Sequence, residues 1–385
     1  MHTLRGSQGR RVLVVTWGSG GNLPPLLAAG DLLAARGFRV EVLTSAATGA
    51  EARRRGFETQ PYRRAPEPDM TVSFEAQERQ LLAHAAGVEL ARDVHELALE
   101  CSFDLLVVDC MLPAALAAGE AARIPTTSLV HFPYALARSV MVRRGGAWTT
   151  DRAALDATRR ELGLPATTGD VDAWESPELL LVALPRWFDA PGELPDHVVH
   201  AGPLGVRAEP EAGRRRAGRR ALLAFSTTVM EGQPRLVSNV CAALERAGIE
   251  GVLTLGPALA RSVAADAAGV EVLEWADHDA LMSNCDLVIT HGGLGTVLRA
   301  LAHGQPLLVL PLGRDQHFNA ARVEALGAGL ELPANSPPPE IADAVVRLLG
   351  QPAFRDGARK AARAIASEHP DQTAGEALAR LSAAG

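Results

Sequence analysis

Short apolar runs alternating with longer stretches of helical spacing set the pattern of this chain. In the first half, "RVLVVT" (11–16), "VEVLTS" (40–45), "DLLVVDC" (104–110), "TTSLVHF" (126–132) and "LLLVALP" (179–185) are short and rich in apolar residues, which predicts buried strands. Between the first two, "LPPLLAAGDLLAARG" repeats its apolar residues at the spacing of one helix face, and alanine-rich helical stretches separate the others. Continuous apolar strands separated by helices predict a parallel sheet covered on both faces. The pattern breaks at "GPLGVRAEPEAGRRRAGRR" (202–220), where glycine, proline and crowded charge read as a solvated linker. It then restarts with "ALLAFS" (221–226), "GVLTL" (251–255), "VEVLE" (270–274), "DLVIT" (286–290) and "LLVLP" (307–311).

Two doubly wound α/β domains are therefore expected: 1–202, a linker over 203–220, and 221–365. In such sheets ligands lie beyond the carboxyl ends of the strands, and the natural site is the cleft between the domains. The tail is amphipathic and helical, and a helix over about 366–385 is expected to pack back on the first domain. The segment 138–174, with "RRGGAWTTD" and scattered aromatics, is expected to be irregular and mobile and to wall a ligand pocket.

Composition narrows this picture only slightly. A chain of 385 residues with 47% hydrophobic and 22% charged residues is ordinary for a globular protein of two domains. A net charge of −7 argues against nucleic acid or an anionic membrane as the main partner. Cys101, Cys110, Cys241 and Cys285 show no CxxC spacing and lie in apolar runs, so reduced thiols are expected rather than a zinc site or disulfides. The opening "MHTLRGSQGRRVLVVTW" does not read as a signal peptide, and no apolar window reaches membrane-spanning length, so a cytoplasmic protein is expected.

The candidate chemistry is concentrated in "ITHGGLGTVLRALAHGQPLLVLPLGRDQHFNA" (289–320). His291, Gly292 and Gly293 fall where a strand gives way to a helix. A helix start presents unpaired N–H donors and the positive end of the dipole, and glycines let an anion approach them. A tight turn with a capping histidine explains a bare HGG equally well. The context is more specific. Trp275 in "LEWADHDAL", then "HGGLGT", "HGQPLLVLP" and "GRDQHFNA" follow in one order, after "GSGGNLPPLLAAGDLLAARGFRV" and "AFSTT". Together these motifs resemble the nucleotide-diphosphosugar glycosyltransferases of the GT-B fold, family 1, in the bacterial branch that decorates antibiotics and other natural products.

The resemblance implies two Rossmann-like domains facing across a cleft and transfer of a sugar, with inversion, to a small hydrophobic aglycone. Trp275 would stack on the base; His291, Gly292, Gly293 and Thr296 would hold the diphosphate, assisted by Ser226 and Thr227 at the mouth of the second domain's first helix. Asp315 and Gln316 would bind sugar hydroxyls, and Asp315 would also cap its helix. No metal and no cofactor are expected, the nucleotide sugar being a co-substrate. Partners are the donor and the aglycone, with no nucleic acid and no membrane span; the sequence does not choose between monomer and homodimer.

Two departures stand out. The family's catalytic histidine, ahead of the first helix, is here Asn22, an amide that cannot take up a proton in the useful range. Asp109, which matches the carboxylate that partners this histidine, could act as base itself or simply cap the next helix. His131 is a further candidate, and an acidic acceptor could need no base. Second, the glutamate that many UDP-sugar members place on the ribose is here Arg299, which favours a dTDP-deoxysugar.

Other motifs carry less. "GSGGNL" lacks the last glycine of a dinucleotide fingerprint, since Leu23 stands there. Asp277, His278 and Asp279 do not share a helix face, and Asp277 suits an N-cap. Asp170 and Asp172 in "GDVDAW" follow no strand and read as a solvated loop. The competing functions are a nucleotide-sugar epimerase or hydrolase on the same frame, and an accessory protein that binds donor without turnover.

Overall fold

The computed structural model describes residues 9–384 apart from 18–19, 68, 70–71, 145–150, 170–173, 191, 207–218, 257–258, 260–262 and 264–268. The chain divides into two compact units, one formed by 1–69, 75–205 and 369–385, the other by 70–74 and 206–368.

In the first unit seven parallel strands lie in the order β3-β2-β1-β4-β5-β6-β7. They are β1 (Arg11–Val15), β2 (Arg39–Thr44), β3 (Glu58–Pro61), β4 (Leu105–Asp109), β5 (Thr126–Val130), β6 (Leu179–Val182) and β7 (Val198–His200). The second unit repeats the plan with six, in the order β10-β9-β8-β11-β12-β13. These are β8 (Arg220–Ala224), β9 (Glu250–Thr254), β10 (Val270–Leu273), β11 (Leu287–Thr290), β12 (Leu307–Val309) and β13 (Gly329–Glu331).

All ten apolar runs become strands, so the doubly wound α/β expectation holds. The strands left out by that expectation, β3, β7 and β13, each lie at or beside a sheet edge, and at least one residue of each is only half covered. Such strands show no continuous apolar run, which is why the hydrophobic pattern is silent about them. Each unit has its own core. In the first, Val12 and Val14 of β1, Val107 of β4 and Leu26, Leu27 and Leu33 of the helix Leu23–Ala34 pack together. Ala374, Ala377 and Leu378, from the last helix Pro370–Ala384, join them. In the second, Leu223, Ile289 and Leu308 meet Leu236, Val240 and Leu244 of the helix Gln233–Ala247.

The segment 138–174 differs from its expectation. The helices Tyr134–Arg144 and Arg152–Glu161 cover much of it, the second started by an Asp151 side chain that accepts the Ala154 amide. Residues 145–150, Asp170 and Asp172, and residues 207–218 of the expected linker lie outside the described residues.

Both sheets reverse their winding between their first and fourth strands, β1 and β4 in one and β8 and β11 in the other. A crevice opens beyond the carboxyl ends of strands at such a point. Asn22 and Asp109 follow or end the first pair, and Ser226 and His291 follow the second.

Candidate active site

In the second unit, β11 ends at Thr290 and the helix Leu294–Ala302 begins after three intervening residues, with Gly293 at the N-cap and no side-chain capping bond. Its first turn is therefore not covered by a cap. Gly292 has φ +94, and a Cβ there would lie 2.8 Å from Val309 Cγ1 and 3.2 Å from the Gln316 carbonyl oxygen. Only glycine serves at this position. A Cβ on Gly293 would come within 2.8 Å of His291 Nε2, so the imidazole lies against the bare backbone of the turn. His291 is buried, and its pKa is lowered to about 4. Burial is the main cause; a hydrogen bond with the Ala224 backbone opposes it and the positive charge of Arg314 adds to it. At neutral pH His291 is an uncharged ring.

Behind the turn stands a brace that the sequence reading did not include. Asn319, fully buried, donates to the Gly292 carbonyl oxygen and to Asp315 Oδ2, both at 2.9 Å. Gln316 accepts the amides of Leu312 and Gly313 at 2.7 and 3.1 Å, fixing the loop before the helix Gln316–Ala325. Asp315 occupies the N-cap of that helix but its side chain makes no capping bond, contrary to the dual role expected. Thr296 is half-buried in the first turn of its own helix. Arg314, with φ +56, was also missed; its sequence signal is a cation directly before the Asp-Gln pair.

Ser226 and Thr227 correct an expectation. They lie in the loop after β8, and the helix begins only at Gln233, so they are not at its mouth. The helix starts after Gly232, its N-cap in the left-handed conformation, with Pro234 in the first turn. Ser226 Oγ faces Thr228 Oγ1 at 3.0 Å, while the buried Gln233 side chain bonds the Ser226 backbone on both sides, at 3.0 and 3.1 Å. Thr227 is exposed.

Trp275 follows β10 and is 82% exposed, so it is not a packing residue of its own unit. Asp277 caps the helix His278–Met282 through the Asp279 amide, and His278 turns inward to Thr254 Oγ1 at 3.0 Å. Arg299 lies 3.8 Å from Asp279 in an ion pair.

The first unit assembles a second polar group. The helix Leu23–Ala34 is opened by prolines in its first turn, and Asn22 at the N-cap makes no capping bond. Prolines can start a helix without such help. The Asn22 amide is thereby free for other use: Nδ2 donates to Asp109 Oδ2 at 2.6 Å and to Thr16 Oγ1 at 3.2 Å. Asp109 has no exposed surface, and its Oδ1 accepts the Met111 amide at 3.0 Å and faces His131 Nε2 at 3.0 Å. The pairing of β4 with β5 sets Asp109 opposite Leu129, two residues before His131. Asp109 thus holds an amide of the turn after β4 but does not cap the next helix, Pro113–Ala122, whose N-cap is Leu112 with no side-chain bond; it binds the Asn22 and His131 side chains instead. Tyr62, from beyond β3, donates to the Thr16 carbonyl oxygen.

Asp109, Cys110 and His131 offer donor atoms within 4.8 Å of one another, a set able to hold a cation that the expectation of no metal did not weigh. All four cysteines are free thiols. No helix among the described residues is long and apolar enough to cross a membrane.

Two parallel Rossmann-like sheets, each with polar residues gathered at its switch point, define the GT-B architecture. Residues 238–380 match the family described as erythromycin biosynthesis protein CIII-like, C-terminal domain. The 4'-demethylrebeccamycin synthase of Lentzea aerocolonigenes is 31% identical over 210 residues, covering 52% of this chain and 49% of that protein. The chain thus spans about half or less of the length of the curated relatives it matches. Among solved structures, the glycotransferase of kitacinnamycin superposes with a TM-score of 0.77 at 25% identity, over 97% of this chain and all of that one. VinC, solved in complex with dTDP, gives a TM-score of 0.74 at 19% identity over 97% of this chain and all of its own. The chain has the GT-B fold of these glycosyltransferases, and the family match covers residues 238–380 of its second half.

Proposed function

We propose that this chain is an inverting glycosyltransferase acting in the cytoplasm, moving a sugar from a nucleotide diphosphate to a small hydrophobic natural-product aglycone. The observation that carries the reading is the turn His291-Gly292-Gly293 at the start of the helix Leu294–Ala302. It offers a helix start without a side-chain cap, a neutral buried imidazole and a backbone that only glycine can follow. Such a helix start stabilises the charge that grows on a departing diphosphate, in place before the reaction begins. Thr296 adds a hydroxyl and Arg314 a positive charge nearby. Exposed Trp275 supplies a face for the base, and Asp315 and Gln316 bind the sugar. Gln316 Oε1 is already held by backbone amides, so its contribution to sugar hydroxyls comes from the amide nitrogen.

Attack on the anomeric carbon from the face opposite the diphosphate gives inversion, and the donor is held by protein groups without a metal. Arg299, committed to Asp279, gives a ribose 2′-hydroxyl no acceptor, which favours a dTDP-deoxysugar over a UDP-sugar. The complex named for VinC contains the same nucleotide on the same fold.

Calorimetric titration with dTDP and UDP, followed by product analysis with a panel of donors and aglycones, tests the reading. We expect dTDP to bind more tightly than UDP, and His291→Ala and Thr296→Ala each to weaken it roughly tenfold, the scale of one lost charge-assisted hydrogen bond. Unchanged affinity in both variants would sink the assignment, and a preference for UDP would sink the donor choice.

A further inference from the structure

We propose that His131 is the base that takes the acceptor's proton, with Asp109 as its positioning carboxylate and Asn22 as the brace that holds Asp109. The inference rests on the transferase reading above and concerns the step that the family histidine, replaced here by Asn22, would perform.

The geometry separates the roles. Asp109 is fully buried and both of its oxygens are engaged, Oδ2 by Asn22 Nδ2 at 2.6 Å and Oδ1 by the Met111 amide and His131 Nε2 at 3.0 Å each. A carboxylate so enclosed holds a partner but does not meet an acceptor. Asn22 is 2% exposed. The His131 side chain keeps 11% of its surface, the most of the three. Its ring is set by the bond to Asp109 and by an edge-on contact with Phe132, at 5.2 Å and 82° between planes. With Nε2–H donating to Asp109, Nδ1 carries the lone pair, the orientation by which a carboxylate prepares an imidazole as a base.

The step balances as follows. The acceptor O–H bond breaks and its proton passes to His131 Nδ1. The acceptor oxygen forms the bond to the anomeric carbon, and the bond from that carbon to the phosphate oxygen breaks. The diphosphate leaves with the electron pair, and the new imidazolium is balanced by the Asp109 carboxylate.

The surroundings support this assignment. Burial disfavours charge on His131, yet the Asp109 carboxylate outweighs it and holds the ring well above the ordinary imidazole range. Cys110 is raised by its own burial and stays a neutral thiol, a weak partner for the ring. Tyr62, raised well above its usual range by burial and then by Asp109, stays a neutral phenol. The rate should therefore rise with pH through the raised value, as the ring gives up its proton.

The test compares wild type, His131→Gln and Asp109→Asn with one productive donor and acceptor pair, using circular dichroism and thermal unfolding as the check that each variant is folded and dTDP affinity as the check on the donor site. We expect His131→Gln to lose about 100-fold or more in kcat, the usual contribution of a positioned base, with dTDP affinity unchanged. In Asp109→Asn the remaining activity should show its alkaline rise displaced to lower pH, because the charge supporting the imidazolium is gone. Free imidazole should restore part of the activity of His131→Gly. A His131→Gln enzyme at full rate with intact dTDP binding overturns the proposal. So does activity lost to a chelator and restored by zinc, which would place a metal among Asp109, Cys110 and His131. A wild type that binds dTDP but forms no glycoside with any pair overturns the transferase reading first, and this proposal with it.

Discussion

Burial lowers His291 to about 4, and this one residue ties donor binding to stability. Above pH 6.5 the ring is neutral in both the folded and the unfolded chain, and its contribution to stability is complete. Below that the unfolded chain takes up the proton first, so stability is lost progressively as pH falls toward about 4. A shift of this size corresponds to roughly 3 kcal/mol. Urea unfolding of wild type and His291→Asn at pH 7 and pH 4.5 should show a steeper loss for wild type; equal slopes would mean that the ring is not buried neutral. Over pH 6.5 to 8, by contrast, dTDP affinity should not follow an imidazole titration, because the ring is already uncharged there. The sequence made His291 visible because glycines and a strand end surround it. It did not show Asn319 or Gln233, which read as ordinary polar residues in helices. Their value lies in what they hold: the Gly292 carbonyl oxygen in one case and the Ser226 backbone in the other.

At the scale of elements, strand ends were more legible than the bonds across them. "DLLVVD" and "TTSLVH" each finish an apolar run on a titratable residue, and adjacent parallel strands bring such ends together. That signal pointed to Asp109 and His131 separately; the pairing of the two needed the order of the strands, which periodicity does not contain. The position of Asn22 was readable, but the release of its side chain depends on prolines taking over the helix start. The last helix gives a case that can be tested by itself. Leu378 is fully buried in the first unit's core, although it lies after the whole of the second unit in sequence. Leu378→Ala should cost about 2–5 kcal/mol, the range for emptying a buried leucine site. Thermal and chemical unfolding measure the loss, and dTDP affinity should stay unchanged because no donor residue belongs to that core. A parallel loss of nucleotide binding would refute the separation of the two.

The whole molecule repeats one winding order around two cores, and each core has a polar group at its switch point. The group after β8 and β11 is made of backbone donors, a neutral ring and glycines, suited to an anion. The group after β1 and β4 is made of a buried carboxylate, an amide and a histidine, suited to moving a proton. Donor nucleotide should therefore stabilise the second unit alone. A ligand at 100 times its Kd adds about 2.7 kcal/mol to the species it binds, which slows exchange through full opening of that unit by about 100-fold. Hydrogen exchange followed by mass spectrometry, with and without dTDP, should show this slowing in β8 and β11. The largest local protection is expected at 292–296 and 312–316. Strands β1 and β4 should exchange as before. Equal slowing in both sheets would mean that the two cores open together, and protection centred on 16–22 and 105–111 would move the nucleotide to the first unit and leave His291 without its assigned role.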